Sequence, residues 1–517
     1  MGTSITPPTA VVSRAVHGPV LLVSIDNPPV NALGVQVRRG LLDAIEAAAS
    51  DPAVQVVVIV GSGANFIAGA DIREFGQPPQ PPALPDVCNR IEALDKPVIA
   101  AIAGAALGGG LEVALAAHYR LALPGARLGL PEVNLGLLPG AGGTQRVPRL
   151  IGAKAALDLM LSGRHASAQE ALKIGLVDQL GEGNDAATAG LAYARQLLAA
   201  GVPVRRTCDA QGLADRNASQ VAIDAAQADT AKKARGLFSP FKIIECVQAA
   251  LDLPIGQGLA RERELFVQCL DSPQRKGLVH AFFAEREVAK VPEAKAAQPR
   301  ALASVGVVGG GTMGAGITVA ALDAGLPVTM VERDEASITR GRANVEKVYD
   351  GLVAKGRMTP EGKAAVLALY SASTDYAALA QADLVIEAVF EDLEVKKAVF
   401  AQLDRVCKPG AVLATNTSYL DIDAIAASTT RARDVIGLHF FSPANIMKLL
   451  EIVVPAQVAA DVVATAFALA KKLKKVPVRA GVCDGFIGNR ILAVYRQAAD
   501  YMLEDGASPY QIDQAVR

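Results

Sequence analysis

Two glutamates stand in an apolar, glycine-rich stretch of this chain, where a carboxylate is costly to place. The stretch GGGLEVALAAHYRLALPGARLGLPEV covers residues 108–133 and contains Glu112 and Glu132. Two carboxyl groups in an apolar pocket have raised pKa values and separate each other's titrations, so one can act as a base and the other as an acid. The alternative is two unrelated acids, one favoured by the dipole of a helix start and one exposed in a loop.

The glycines before the first of these acids add a second chemical group. Three glycines, residues 108–110, precede a predicted helix, LEVALAAHY. The first N–H groups of a helix have no partner within it, and such groups stabilise an anion. The stretch therefore predicts an anion-stabilising position beside the two acids.

A second set of residues with chemical potential begins near residue 304. The segment SVGVVGGGTMGAGI is a predicted strand, then Gly309, Gly311 and Gly314 in the spacing GxGxxG, then a helix. Such glycines let the backbone approach a pyrophosphate, and the helix start attracts its charge. The next strand, PVTMV, leads to Glu332, an acid that suits the ribose 2′-hydroxyl of NAD. Arg333 beside it leaves NADP as an alternative cofactor. A further alternative is that the glycine-rich turn has a purely structural role and binds no ligand.

One histidine in this half of the chain could serve that cofactor. His439 lies in GLHFFSPANIMKLLEIV, and histidine is the natural acceptor for the proton of an alcohol that loses a hydride. Glu451 interrupts the apolar strand that follows, and a buried carboxylate needs a partner such as an imidazole N–H. The alternative is a histidine of the core whose hydrogen bonds are satisfied.

Two α/β units are needed to position these groups. In residues 1–187, β-branched runs such as VLLVSI, VQVVVIV and PVIAAIAG alternate with helical stretches, as buried strands do. Residues 188–296 are mostly helical by composition and end in a linker rich in proline and alanine, without a recognisable catalytic cluster. A second α/β unit covers residues 297–478, and residues 479–517 are helical.

Composition excludes several classes of partner. The chain has 51 basic and 52 acidic residues and a net charge of −1, so nothing calls for nucleic acid or an anionic membrane. Six scattered cysteines without a CxxC pair indicate reduced thiols and no metal site. The first residues do not have the pattern of a signal peptide, so we expect none, and the uncharged residues 301–322 are too rich in glycine for a membrane helix. We expect a monomer without a membrane span.

The second half resembles the L-3-hydroxyacyl-CoA dehydrogenases. The motifs GGGTMGAGI, DLVIEAVFEDLEVKK, LATNTSYL, GLHFFSPANIMKLLEI and GFIGNR follow one another with the spacing of that family from residue 304 onward. The resemblance implies that His439 is the general base and that Glu451 orients it. It also implies that Ser418 and Asn489 are polar groups around the substrate's C3 oxygen.

The same resemblance extends to the cofactor. It implies that Glu391 and Lys396, in FEDLEVK, contact the nicotinamide half of NAD. Ser442 departs from the asparagine found in single-domain members of the family. A serine there also resembles the peroxisomal type, so the departure is expected to change detail and not chemistry.

The first half resembles the crotonase superfamily, in its enoyl-CoA hydratase branch. The resemblance rests on ANFIAGADIREF, PVIAAIAGAALGGGLEVALAAHYRLA, LGLPEVNLGLLPGAGGTQRVPRLIG and ALKIGLV, over nearly all of the first 190 residues. It implies that Glu112 and Glu132 are the catalytic pair and that the N–H groups of Ala68 and Gly109 form an oxyanion hole. The loop that meets the adenine end of CoA in this family holds two further residues, Asp71 and Ile72.

The order of the two halves resembles the type 1 multifunctional β-oxidation enzymes, in their peroxisomal-type branch. The implied architecture is a multidomain α/β protein with a crotonase (spiral ββα) fold in residues 1–187 and a helical linker in 188–296. A Rossmann-type NAD domain follows in 297–478, with the start of an all-α dehydrogenase C-terminal domain in 479–517. The implied substrates are acyl-CoA thioesters, hydrated as trans-2-enoyl-CoA and then oxidised as L-3-hydroxyacyl-CoA with NAD.

Several functional alternatives stay open at this point. The pair of glutamates would also permit isomerisation of Δ3- to Δ2-enoyl-CoA. The chain could instead be a crotonase-fold isomerase with a silent dehydrogenase half, or a non-catalytic scaffold that binds CoA or NAD. Because the family carries two helical domains after the NAD domain, we expect a truncated chain with weak or no dehydrogenase activity. The expected location is the cytoplasm, with the peroxisome as the alternative.

Overall fold

The chain divides into two compact units, Met1–Phe282 and Phe283–Arg517. The computed structural model describes residues 3–4, 11–71, 74, 77–78, 80–234 and 236–516. The boundary between the units falls within one continuous helix, Pro273–Glu287. The finer division of the chain at residues 187, 296 and 478 stays a prediction.

A mostly parallel sheet forms the centre of the first unit. The strands described in this unit are β1 (Thr3–Ser4), β2 (Val12–His17), β3 (Val20–Ile25), β4 (Val56–Gly61), β5 (Val98–Ile102), β6 (Ala105–Leu107), β7 (Tyr119–Ala122), β8 (Arg127–Gly129), β9 (His165–Ser167) and β10 (Gln179–Leu180). The main sheet has the order β1-β2-β3-β4-β5-β7-β10, and a small sheet has the order β6-β8-β9. The main sheet is antiparallel from β1 to β3 and parallel beyond.

Helices surround this sheet and continue beyond it. They are α1 (Val35–Ser50), α2 (Leu84–Glu92), α3 (Gly109–Ala116), α4 (Gly143–Ile151), α5 (Ala153–Ser162), α6 (Ala168–Lys173), α7 (Ala186–Ala199), α8 (Arg216–Lys233), α9 (Ser239–Asp252), α10 (Ile255–Asp271) and α11 (Pro273–Glu287). A 3-10 turn, Pro131–Leu135, precedes α4.

The alternation of side chains along the central strand explains the layers of the first unit. Every residue of β4 is buried. Val57 and Ile59 belong to the core that also contains Leu41 of α1, whereas Val58 belongs to a second core with Tyr193 of α7. Successive side chains of a strand point to opposite faces, so a run of β-branched residues is buried on both. The predicted α/β pattern is confirmed.

One predicted helix is shorter than its sequence suggests. LEVALAAHY was expected to be helical throughout, but α3 ends at Ala116 and Tyr119 already belongs to β7. Tyr119 pairs with Ile99 in the central sheet. The ladder hydrogen bonds of the sheet therefore outweigh the helical propensity of these last residues.

The helical stretch after residue 188 packs into the first unit. Ile223 of α8, Ile243 of α9 and Leu265 of α10 are buried in the same core as strands β3 to β5. The segment expected from the sequence to be a linker thus contributes to a hydrophobic core as far as α10.

The second unit is built on an eight-stranded sheet within the residues that the structure describes. Its strands are β11 (Val305–Val308), β12 (Val328–Val331), β13 (Tyr370–Ser373), β14 (Leu384–Glu387), β15 (Val412–Thr415), β16 (Val435–Phe440), β17 (Leu449–Val454) and β18 (Val476–Gly481). Their order is β13-β12-β11-β14-β15-β16-β17-β18, and β16 with β17 is the antiparallel pair. The reversal of strand order at β11 and β14 is the switch point at which such sheets bind dinucleotides.

Helices connect most of the successive strands of the second unit, and others precede the first strand or follow the last. They are α12 (Pro292–Ala296), α13 (Thr312–Asp323), α14 (Glu335–Ala354), α15 (Pro360–Leu367), α16 (Leu393–Val406), α17 (Ile422–Ala426), α18 (Ala460–Lys472), α19 (Gly488–Glu504) and α20 (Pro509–Val516). No helix in the described part of the chain is long and apolar enough to span a membrane.

The buried central strand of the first unit gives a stability prediction. Ile59 is fully buried, so Ile59→Ala leaves a cavity and should lower the free energy of unfolding of this unit by about 2–5 kcal/mol. Val221→Ala, at a side chain that is 69% exposed on α8, should change it by less than about 0.5 kcal/mol. Calorimetric unfolding of the full-length chain measures both, and equal melting profiles for the two variants would contradict the assigned core.

Candidate active sites

Glu112 is held at the start of two helices. It lies in the first turn of α3 and is 3% exposed. Its Oε1 accepts hydrogen bonds from the backbone N–H groups of Ala141 (2.7 Å) and Gly143 (2.9 Å), where α4 begins. N–H groups at a helix start have no partner within the helix, so they are available to a carboxylate.

Glu132 reaches the same place from the 3-10 turn. A Cβ added to Gly108, which has φ +53° and precedes α3, would lie 3.0 Å from Glu132 Oε1. Only glycine combines this backbone conformation with so close an approach. The structure therefore brings together the two acids that the sequence singled out, across the three-glycine turn.

Burial dominates the electrostatics of this pair. Burial raises the pKa of Glu112, and the N–H groups of Ala141 and Gly143 and the charge of Arg146 oppose it. Burial and then the charge of Glu112 raise the pKa of Glu132 well above its ordinary value. Glu132 Oε2 is buried and has no hydrogen-bond partner among the described residues. Glu132 Oε2 thus lacks the two backbone donors that stabilise the charge of Glu112 at Oε1.

A third buried glutamate was missed by the sequence analysis. Glu262 of α10 is 2% exposed, and burial raises its pKa to about 8. It lies in GLARERELFVQCL, where glutamates and arginines suggest a solvated face. The signal that could have identified it is spacing, because Gly258, Glu262, Leu265 and Cys269 form the buried stripe of α10.

The predicted oxyanion donors lie on neighbouring segments. Gly109 is the first residue of α3. The backbone N–H of Leu107 donates to the carbonyl of Ile67 at 3.0 Å. The segment that contains Ala68 therefore lies next to the residues that lead into α3. The N–H of Ala68 donates to the carbonyl of Val30 at 3.2 Å, a long bond.

One of the two residues predicted to contact CoA lies in the described part of the chain. Asp71 is 7% exposed, and a Cβ added to Gly34 would lie 3.0 Å from its Oδ2. Asp71 is therefore packed against the residue before α1. Ile72 lies outside the described residues.

The glycine turn of the second unit has the shape that the sequence predicts. Gly309 has φ +101°, and its N–H donates to the carbonyl of Val331. A Cβ added to Gly314 would lie 1.8 Å from the carbonyl oxygen of Gly309, so no side chain fits there. Gly311 precedes α13, and no atom lies within 4 Å of a Cβ added to it. The turn thus leaves an open cradle at a helix start, which fits a pyrophosphate.

Glu332 faces this cradle. Its Oε1 accepts a hydrogen bond from the N–H of Gly310 at 2.6 Å, and both residues line a cleft of about 300 Å³. Ser337, Arg340 and Asn344 also line the cleft and were not singled out from the sequence. The cleft therefore has a lining that fits the adenosine half of NAD, and it includes Glu332, the residue that the sequence predicts for a ribose hydroxyl.

Arg333, which leaves NADP as an alternative from the sequence, is exposed and paired with its neighbour. Its side chain is 79% exposed and pairs with Asp334 at 3.1 Å. Arg333 is not among the residues that line the cleft. The position of Arg333 therefore gives no support to NADP as the cofactor.

His439 and Glu451 form a buried pair. They lie opposite each other in the register of β16 and β17, and His439 Nδ1 is 2.6 Å from Glu451 Oε2. Glu451 Oε1 accepts the N–H of Gly488 at 2.7 Å, at the start of α19. The rings of Phe441 and Phe486 pack around the imidazole. A neutral ring that donates from Nδ1 presents the lone pair of Nε2, which is the form a base needs.

The other residues predicted for the dehydrogenase site lie in two different parts of the second unit. Asn489 is partly buried in the first turn of α19, next to the N–H group that holds Glu451. The N–H of Ser418 donates to Glu391 Oε1 at 2.7 Å. Burial raises the pKa of Glu391, but the hydrogen bonds of Thr417 and Ser418 and the nearby ammonium outweigh it and lower this pKa.

Lys396 is buried against a residue that the sequence analysis missed. It is 1% exposed, and its Nζ lies 2.7 Å from Glu387 Oε1 and 3.4 Å from Glu391 Oε2. Glu387 is fully buried at the end of β14 and also accepts the hydroxyl of Thr415 at 2.7 Å. Glu387 interrupts the apolar strand DLVIEAV, the same signal that identified Glu451.

Three protein families match successive parts of the chain. Residues 16–233 match enoyl-CoA hydratase/isomerase, and residues 304–483 match the NAD binding domain of 3-hydroxyacyl-CoA dehydrogenase. Residues 485–517 match the C-terminal domain of 3-hydroxyacyl-CoA dehydrogenase. These matches confirm the predicted fold class and confirm NAD as the cofactor.

Several relatives align with almost the whole of this chain, across both units. The chain is 45% identical to the peroxisomal bifunctional enzyme of Danio rerio, over 96% of this chain and 69% of that protein. It is 42% identical to the peroxisomal bifunctional enzyme of Cavia porcellus, over 96% and 69%. A peroxisomal fatty acid beta-oxidation multifunctional protein of Arabidopsis thaliana is 36% identical, over 96% and 70%. The chain therefore belongs to the bifunctional enzymes of fatty-acid β-oxidation that join an enoyl-CoA hydratase/isomerase domain to an NAD-dependent 3-hydroxyacyl-CoA dehydrogenase.

Proposed function

We propose that the first site hydrates trans-2-enoyl-CoA to L-3-hydroxyacyl-CoA and that the second site oxidises this product to 3-ketoacyl-CoA. The observation that carries the proposal is the pair of Glu112, buried in the first turn of α3, and Glu132 of the 3-10 turn, whose Oε2 is buried beside the three-glycine turn. Two carboxyl groups with raised pKa values, one held by backbone N–H groups and one with an unpartnered oxygen, can supply a base and an acid to the same substrate.

We infer the roles of the two glutamates in hydration from their environments. Glu112, which accepts two backbone N–H groups, keeps its charge more readily and takes a proton from water as the oxygen bonds to C3. Glu132, whose pKa is also raised and whose Oε2 accepts no hydrogen bond among the described residues, delivers its proton to C2. Return of a proton from Glu112 to Glu132 restores the starting state. The net reaction adds one water across the double bond.

The thioester oxygen gains negative charge during this addition. The N–H groups of Gly109 and Ala68 are the donors we assign to it. A donor of this kind typically contributes about 3–4 kcal/mol to the stability of the transition state. Because the N–H of Ala68 donates to Val30 at 3.2 Å, it would exchange this partner for the substrate.

The second site removes a proton and a hydride from the hydroxyacyl-CoA. His439 takes the hydroxyl proton on Nε2, and Glu451 holds the ring and stabilises its positive charge. Ser418 and Asn489 are the polar groups we assign to the C3 oxygen. NAD supplies the acceptor for the hydride that leaves C3, and Glu391 and Lys396 are assigned to its nicotinamide half.

Isomerisation of Δ3- to Δ2-enoyl-CoA is a second candidate for the first site. The unpartnered Oε2 of Glu132 favours it, because one carboxylate that starts ionised can take a proton from C2 and deliver it to C4 without a water molecule. Hydration would then use both glutamates and isomerisation Glu132 alone.

The names of the relatives bear on location. The relatives from Danio rerio, Cavia porcellus and Arabidopsis thaliana are named peroxisomal. These names favour the peroxisomal alternative over the cytoplasmic location expected from the sequence. The monomeric state stays a prediction.

Replacing either glutamate should abolish hydration. Glu112→Gln and Glu132→Gln should each lower kcat for crotonyl-CoA by about 10²–10⁴-fold, because each removes one proton-transfer group. Glu264→Gln is the matched control, since Glu264 lies on α10 with its side chain 61% exposed. The loss of enoyl absorbance measures the rate. A wild-type chain without activity at any enzyme concentration would instead support the non-catalytic scaffold.

The same variants separate hydration from isomerisation. With a 3-enoyl-CoA substrate, Glu112→Gln should retain isomerisation and Glu132→Gln should lose it. The appearance of the conjugated 2-enoyl-CoA by chromatography measures this reaction. Loss of both reactions in both variants would show that the glutamates act as one unit.

The glycine turn gives a prediction for cofactor binding. Gly314→Ala should lower the affinity for NAD by at least about tenfold, because its Cβ would displace the carbonyl of Gly309 from the turn. Gly351→Ala is the matched control, since nothing lies within 4 Å of a Cβ added there. Titration calorimetry with NAD measures both variants. Equal affinities would contradict the cradle assigned to NAD.

A further inference from the structure

Glu262 is a buried carboxylate that the proposed mechanism does not use. Its Oε1 accepts the N–H of Gly142 at 2.7 Å, and its Oε2 accepts the N–H (3.1 Å) and the hydroxyl (2.5 Å) of Thr144. Arg146, the cation that acts on Glu262, is itself paired with Glu92 at 2.7 Å. Within the described residues, Glu262 is therefore held by hydrogen bonds and has no ion pair of its own.

The backbone that Glu262 holds also holds Glu112. Along residues 141–144, the N–H groups of Ala141 and Gly143 donate to Glu112, and those of Gly142 and Thr144 donate to Glu262. Four successive N–H groups thus alternate between two carboxylates. A shift of this segment away from Glu262 would move both hydrogen bonds of Glu112.

We propose that Glu262 is a positioning residue of the first site, which fixes residues 141–144 so that their N–H groups hold the Glu112 carboxylate. The inference rests on the hydration proposed for Glu112. It makes α10 part of the hydratase site, although the match to the enoyl-CoA hydratase/isomerase family ends at residue 233.

The packing of α10 supports this inference. A Cβ added to Gly258 would lie 2.1 Å from Gln145 Oε1, and one added to Gly140 would lie 2.5 Å from Phe266 Cδ2. The helix therefore lies against the segment on either side of residues 141–144. A carboxyl group is costly to bury even when it is neutral, and the hydrogen bonds that Glu262 accepts from Gly142 and Thr144 offset this cost.

The charge of Glu262 is coupled to the reacting pair. Five groups on other elements act on it or respond to it electrostatically: Glu112 of α3, Glu132 of the 3-10 turn, Arg146 of α4, Cys246 of α9 and Cys88 of α2. Glu262 is neutral below its pKa of about 8 and adds a like charge beside Glu112 above it. Hydration should therefore change where Glu262 ionises, which a merely structural group would not cause.

Two variants of the full-length chain test the inference. Glu262→Leu removes every acceptor at this position, whereas Glu262→Gln keeps one oxygen acceptor and cannot ionise. Glu264→Gln on the exposed side of α10 is again the control. Each variant is assayed for kcat and KM with crotonyl-CoA across pH, and its fold is checked by circular dichroism and thermal unfolding.

We expect Glu262→Leu to lower kcat by about 10²-fold with little change in KM, because Glu112 is displaced while substrate binding remains. Glu262→Gln should keep kcat within about tenfold of the wild type and lose the bend in the pH profile near pH 8. A folded Glu262→Leu with the kcat of the control would overturn the inference. If Glu262→Leu does not fold, a wild-type pH profile of Glu262→Gln overturns it.

Glu112→Gln, measured alongside, separates this inference from the proposed function. If Glu112→Gln hydrates crotonyl-CoA at the wild-type rate, the proposed mechanism itself is wrong. If Glu112→Gln is inactive while both Glu262 variants match the control, the mechanism stands and the positioning role is refuted.

Discussion

A carboxylate in an apolar interior must accept hydrogen bonds, and both sites of this protein depend on that constraint. In each case the donors are backbone N–H groups where a helix begins. Glu112 uses those at the start of α4, and Glu451 uses that of Gly488 at the start of α19. A helix start supplies donors without a side chain and without a full positive charge. The carboxylates are thereby fixed in position while their reactivity is left to their second oxygen.

What surrounds each carboxylate then decides its protonation. The glutamates of the first site lie in apolar surroundings and their pKa values are raised, so that protons can move between them. In the second unit, Glu391 has a hydroxyl, an N–H group and Lys396 around it, and its pKa is lowered. The first arrangement suits proton transfer to and from carbon. The second suits a permanent negative charge beside a bound cofactor.

Local sequence patterns were sufficient to predict some elements of the fold and some residues of the two sites. The β-branched run of β4, the glycine turn at Gly309 and the pair His439 and Glu451 each have a period or a spacing that a single segment reveals. The burial of Glu262 and of Glu387 depends on elements distant in the sequence, which no segment reveals alone. Glu262 was hidden among exposed charges of α10, although its spacing from Gly258 placed it on the buried face.

The alternation along residues 141–144 has a consequence for how this enzyme can vary. Substitution of Ala141 or Thr144 leaves the backbone N–H groups where they are, so the segment tolerates changes of side chain more readily than changes of length. Deletion or insertion of one residue would exchange the amides between Glu112 and Glu262. A change of two residues would restore the parity. The number of residues in this turn therefore constrains the candidate site as much as the identity of the two acids that the turn holds.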